Sequence, residues 1–158
     1  MSLVVVLIVR CLLVALFLPF SALDKIMNFR QALDQASQAV TSHALAKLLI
    51  LCGLCVEVVM SLAILSGIGD RLAAFILAGY CLLTALLWKQ FWKSPDFRLR
   101  GASGGRELFW DFLKNCALAG GFLLLACGTD RAGATRFWDD PLASSHPYAA
   151  PMATQSPR

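Results

Sequence analysis

The stretch "LAKLLILCGLCVEVVMSLAILSGI", residues 45 to 68, decides the fold. Lys47 and Glu57 are its only charges. A helix rising about 1.5 Å per residue crosses a ~30 Å hydrocarbon core in about 20 residues, and this run is long enough. Helix also satisfies every backbone group within its own segment, which lipid demands. A barrel strand would be shorter and would alternate strictly, and this stretch does not. It therefore reads as a transmembrane helix.

Three more runs of the same kind flank it: residues 3–23, 72–92 and 107–128. The chain has 158 residues, of which 58% are hydrophobic and 15% charged, and its mean hydropathy is +0.68. Soluble domains average about 45–50% apolar residues. So much apolar surface cannot be hidden inside one small domain, and the excess must face lipid. The expected fold is all-α: an integral membrane bundle of four helices over residues 1–128, with a Pro/Ala/Ser-rich tail at 129–158. Pro141, Pro147, Pro151 and Pro157 lead to an expectation of disorder in that tail. The competing reading of 3–23 is a secretory signal. No basic residue precedes the run, Arg10 interrupts it, and Phe20 fills the −3 position of a cleavage site after Ala22, so a span is favoured.

The connectors differ. Residues 24–44 carry Phe29, Leu33, Ala36 and Val40 at helical spacing, with polar residues between them. They predict a short amphipathic helix. "GIGDR" at 67–71 predicts a tight turn, and "KSPDFRLRGASGGR" at 93–106 a basic loop. Lys25, Arg30, Lys47, Lys89, Lys93, Arg98, Arg100 and Arg106 lie on the side of the two long connectors. Arg71, Arg131, Arg136 and Arg158 lie on the other. The bias places the connectors in the cytoplasm and both termini outside a cell (inner) membrane. The net charge of +4 then reflects topology and anionic lipid, not nucleic acid. Trp88, Trp92 and Trp110 at the run ends read as an interfacial belt.

Charges within the runs are expensive in lipid, so they should face the bundle and be paired. Arg10, Glu57, Asp111 and Lys114 form the expected intramembrane polar centre, with Glu57 set against Arg10 or Lys114. Such a centre can fix helix register, or it can hold a headgroup, a quinone ring or a proton. Cys52 and Cys55 have C-x-x-C spacing but sit mid-run, without the helix N-terminus and partial exposure that lower a thiol pKa. They read as small apolar residues, and a redox dithiol is the less favoured alternative. No cysteine or histidine spacing suggests a metal site. His43 and His146 are the only histidines, and neither lies inside a run, so no haem is expected. Gly53 with Ser61, Ala74 with Ala78 and Ala117 with Gly121 are small residues at multiples of four, suited to close helix contact. Tyr80 and Met60 read as packing.

Three stretches covering all four helices together resemble the DoxX family of small four-helix membrane proteins: "VRCLLVALFLPFSALDKIMNF", "VEVVMSLAILSGIGDRLAAFILAGY" across two helices, and "FWDFLKNCALAGGFLLLACG". The first has an early Arg10 and an exit from Ser21 to Lys25, where family members often have Gly. The resemblance implies a role near membrane redox chemistry, as an accessory subunit rather than a complete enzyme. The partners expected are the lipid bilayer and a membrane oxidoreductase subunit, with quinone as the implied small molecule and a homo-oligomer left open. No Gly-rich strand–helix motif for a flavin or nucleotide occurs. A carrier or assembly factor for a small molecule or lipid, and a purely structural subunit, are the other readings.

Overall fold

A computed structural model of the chain describes residues 3–37, 40 and 42–149. The first span comprises α1 (Leu3–Ala15), a π-helical turn (Leu16–Ser21) and α2 (Ala22–Met27). Then follow α3 (Phe29–Ser37), α4 (His43–Ser66), α5 (Asp70–Trp88), α6 (Gly104–Cys127) and α7 (Arg131–Asp139). Among the described residues there is no strand, and four helical segments are long and apolar enough to cross a membrane. The protein is an integral membrane bundle of four transmembrane helices.

The sequence explains each element. Pro19 lies inside the first span and cannot donate a backbone hydrogen bond, and the helix widens around it instead of breaking. The Ala22 N–H reaches the Phe17 carbonyl five residues back. The span consequently runs four residues beyond its expected end at 23. On α4, Ala46, Ile50, Gly53, Glu57, Ser61 and Ile64 form one buried seam at spacings of three and four. Leu48, Leu51, Val59 and Leu62 on other faces stay exposed, where lipid covers them. On α5, Ala73, Ala74, Leu77, Ala78, Cys81 and Ala85 are buried, and this small-residue face lets α5 pack closely along α6.

The amphipathic connector forms as expected. Leu33 and Ala36 of α3 pack on Ala46 and Ile50 of α4, with Phe29 and Val40 alongside. Trp88 donates its indole N–H to the Gln35 carbonyl at 3.1 Å, tying α3 to the end of α5. The basic loop is shaped by Asp96, which accepts from the N–H groups of Gly104 and Gly105 at 2.8 and 3.0 Å and so starts α6 three residues before its expected position.

The described part of the tail, up to Ala149, forms a helix and a strap. Asp130 accepts from Gly133 N–H at 3.2 Å and caps α7, and Phe137 buries against Phe75. Residues 141–149 follow as a strap over the α4–α5 turn. All four prolines of the tail fall after Asp140, and the capped nine-residue helix with an inward Phe lies before them. Pro151, Pro157 and Arg158 lie outside the described residues.

Candidate functional site: two buried charge clusters

The expected single polar centre is two clusters at different depths. Arg10, 2% exposed, lies at the tail-side end of the bundle. Its Nη2 is 2.5 Å from Asp70 Oδ2, and its Nη1 donates to the Ile64 carbonyl at 2.5 Å. Asp70, fully buried, also accepts from Ser145: the N–H at 2.9 Å to Oδ1, the hydroxyl at 2.5 Å to Oδ2. Arg10 donates to the same Ser145 hydroxyl at 2.8 Å. This cluster has a backbone cause. The last carbonyls of a helix lack intrahelical donors. Here Arg10 caps Ile64, the Tyr148 hydroxyl caps Leu65, and the Ser144 hydroxyl caps Gly67 at 2.5 Å. Gly67 adopts φ +78, and a Cβ there would come within 2.9 Å of Pro147, so the turn needs glycine for both conformation and strap contact.

Glu57, 1% exposed, anchors the second cluster. Its Oε1 accepts from Lys25 at 2.6 Å, Tyr80 at 2.9 Å and Ser21 at 3.0 Å. Lys25 also donates to Ser21 at 2.6 Å. Its Oε2 is buried and makes no hydrogen bond among the described residues, and neither does the Ser61 hydroxyl one turn along α4. Gly53, one turn the other way, makes room for the phenol, since a Cβ there would lie 3.1 Å from Tyr80 Oη. The π turn supports the arrangement from the opposite helix. Inward positions on the first span run Arg10, Val14, Phe17, then Ser21 and Lys25, so the face continues through the π turn to the two donors.

Glu57 therefore pairs with Lys25, not with Arg10 or Lys114. The first helix does not end at 23, where the apolar run does. The helix continues to Met27, and α3 folds alongside the first turns of α4, which sets Glu57 level with Ser21 and Lys25. Arg10 lies level with Ile64 and the turn, about 10 Å along the helix axis from Glu57 at ~1.5 Å per residue. Asp111 and Lys114 join neither cluster. Asp111 binds Lys89 at 3.0 Å and Lys114 at 3.2 Å, and the Lys114 side chain is 72% exposed. Lys114 points outward, while Asp111, on the side of α6 toward α5, reaches Lys89 at the connector end of α5. Ala117 is likewise exposed, whereas Gly53, Ser61, Ala74 and Ala78 all lie at contacts.

Cys52 and Cys55 fall on the outer face of α4 and are exposed, away from both clusters. Tyr80, read from sequence as packing, is a hydrogen-bond donor to Glu57. Ser21, Lys25, Asp70 and Ser145 were also outside the expected centre. The Ser21–Lys25 spacing of four was the available signal for the first two; Ser145 had none, because its role depends on how the tail folds back. Outside the spans, the Asp96 carboxyl is held below the ordinary aspartate value by the Ser94 hydroxyl and the Gly105 and Gly104 N–H groups.

A model of the DoxX family matches residues 5–90, over half of the chain. The chain belongs to the DoxX family. The match includes Arg10, Ser21, Lys25, Glu57, Asp70 and Tyr80, so both clusters of this DoxX protein except Ser145 fall within it. Asp111, Lys114, α7 and the strap lie beyond the matched residues. No curated protein and no solved structure matches the chain.

Proposed function

We propose that this DoxX protein is a small membrane subunit that supports a quinone-linked oxidoreductase, with Glu57 as a proton-holding group inside the bilayer. The observation that carries this reading is the asymmetry of the Glu57 carboxylate. Three donors converge on Oε1, while Oε2 is buried and makes no hydrogen bond among the described residues. A clamp that only fixes helix register is best served by saturating both oxygens, because an unpaired buried acceptor is costly. A group that takes up and returns a proton needs one oxygen open. Reducing a quinone to a quinol takes two electrons and two protons. The electrons would come from the partner, and Glu57 would hold a proton beside Lys25 and Tyr80 at a depth quinones reach.

The test is purification from native membrane in mild detergent, followed by quinone extraction and measurement of quinone-linked electron transfer. The reading expects a redox subunit and quinone to co-purify, and Glu57→Gln to lower electron transfer at least tenfold while the complex stays assembled. Full activity in an assembled Glu57→Gln complex refutes the proton role. Protein-dependent solute or lipid flux in proteoliposomes, with no redox partner, would favour a carrier instead.

A further inference from the structure

The two clusters are joined along one face of α4. From the tail side inward, that face presents the Ile64 carbonyl bound by Arg10, then Ser61, then Glu57, at successive turns of a single buried seam. Ser61 is fully buried, and its hydroxyl makes no hydrogen bond among the described residues. It lies between the Arg10–Asp70 pair and the open oxygen of Glu57. The seam is thus a column of polar atoms from mid-bilayer to the tail-side end of the bundle. Its outer end is covered by the strap. Ser145 bonds both oxygens of Asp70 and accepts from Arg10, Tyr148 stacks 6.0 Å from the Arg10 guanidinium, and Pro147 rests on Gly67.

The strap is held differently from the helices it covers. Residues 140–149 contain no regular helix, and His146 sits at φ 48, a conformation unusual for a side-chain-bearing residue. Leu142 is 68% exposed and contributes nothing to the core. An open groove runs between the strap and the turn, lined by Ser66, Ile68, Leu142 and His146. The attachment is therefore a set of hydrogen bonds from a non-helical segment to the end of the bundle, with little apolar burial of its own, the kind of contact that opens locally without unfolding the rest. Arg10 and Asp70 keep each other as partners when it lifts, and Arg10 keeps Ile64, so opening strands no buried charge.

We propose that residues 141–149 are a releasable plug, and that lifting it admits water from the tail side along Ser61 to Glu57. The Arg10–Asp70 pair is the mouth of this route, and Ser145 is the latch. The inference stands on the column and the strap, and it does not require that Glu57 serve a redox partner.

Cysteine accessibility tests it. In full-length protein with all six native cysteines replaced, Ser61→Cys is introduced and reconstituted in nanodiscs. Its labelling by a small charged methanethiosulfonate is then timed. With the strap intact, labelling is slow. Adding Ser145→Ala with Tyr148→Phe, or Gly67→Ala to press Pro147 away, accelerates it at least tenfold. Ala85→Cys, buried near the connector end of α5, reports general loosening and stays unlabelled in the same backgrounds. Labelling at Ser61→Cys that the strap variants do not accelerate overturns the plug. Equal acceleration at Ala85→Cys also overturns it, because the effect is then unfolding of the bundle.

Discussion

Replacing Glu57 by Gln separates the pairing seen here from the one its position in the sequence suggests. The amide oxygen keeps the neutral bonds from Ser21 and Tyr80, which lie at 3.0 and 2.9 Å. What is lost is the charge opposite Lys25, now 2.6 Å away. In soluble proteins, removing one partner of a buried pair costs about 3–5 kcal/mol. Two features lower that figure. The Lys25 side chain is 23% exposed and near the connector side, so its ammonium can move toward water. The amide also preserves most of the hydrogen bonding, and single side-chain bonds between membrane helices average about 0.6 kcal/mol. The expected loss is therefore about 2 kcal/mol, a fall of roughly 4–8 °C in melting temperature if the scaling for soluble domains of this size holds in detergent. Glu57→Gln with Lys25→Met should recover at least half of it, because no cation is then stranded. Glu57→Gln with Arg10→Met should be additive to within about 0.5 kcal/mol, since the two residues share no partner. The assay is thermal unfolding in one detergent of the wild type, the Glu57→Gln, Lys25→Met and Arg10→Met singles and the two doubles, all six proteins at equal concentration. Additivity with Lys25 and coupling with Arg10 would refute the two-cluster arrangement.

Cys52→Ala with Cys55→Ala should leave expression and any quinone-linked rate within about twofold, because both thiols are exposed on the outer face of α4; a loss of about a hundredfold in rate, worth ~2.7 kcal/mol of barrier, would reveal a dithiol site. Reporter fusions should place the 93–106 loop in the cytoplasm and a fusion after Asp140 outside, and a cytoplasmic signal from the latter would reverse the orientation drawn from the charge bias. Asp96 should make the loop acid-sensitive. Its folded pKa is depressed, so its contribution is complete above its ordinary value of 3.8 and is lost as pH falls through the lower folded value. The protection of the Gly104 and Gly105 amides, their exchange rate relative to the intrinsic rate at each pH, should fall between pH 5 and pH 3 in the native protein. The change should be absent in Asp96→Asn.

Local sequence was enough for everything that depends on one helix meeting lipid. Four runs of about 20 apolar residues have no stable alternative in a hydrocarbon layer, so the spans were legible to within a few residues. The amphipathic face of α3 was legible too, because Phe29, Leu33, Ala36 and Val40 declare it at helical spacing. The burial of Arg10 and Glu57 followed from the cost of charge in lipid, whatever their neighbours. Pairing was different. Whether Glu57 meets Arg10, Lys114 or Lys25 depends on relative depth and rotation, and small changes in either decide it. A π turn at Pro19 and an extension to Met27 changed the first helix's register, and α3 lying along α4 changed the level at which Glu57 meets it. Lys114 points outward because α6 turns Ala119 and Phe122 inward, a choice made by its fit to α5. Ser145 reaches Asp70 across 75 residues only because the tail folds back over the α4–α5 turn, where orphan carbonyls and a buried carboxylate await donors. Composition and spacing dictate which residues must leave lipid and which charges need partners. Tertiary structure chose the partners, because a partner is set by distance, and distance between helices is fixed by packing that no single segment contains.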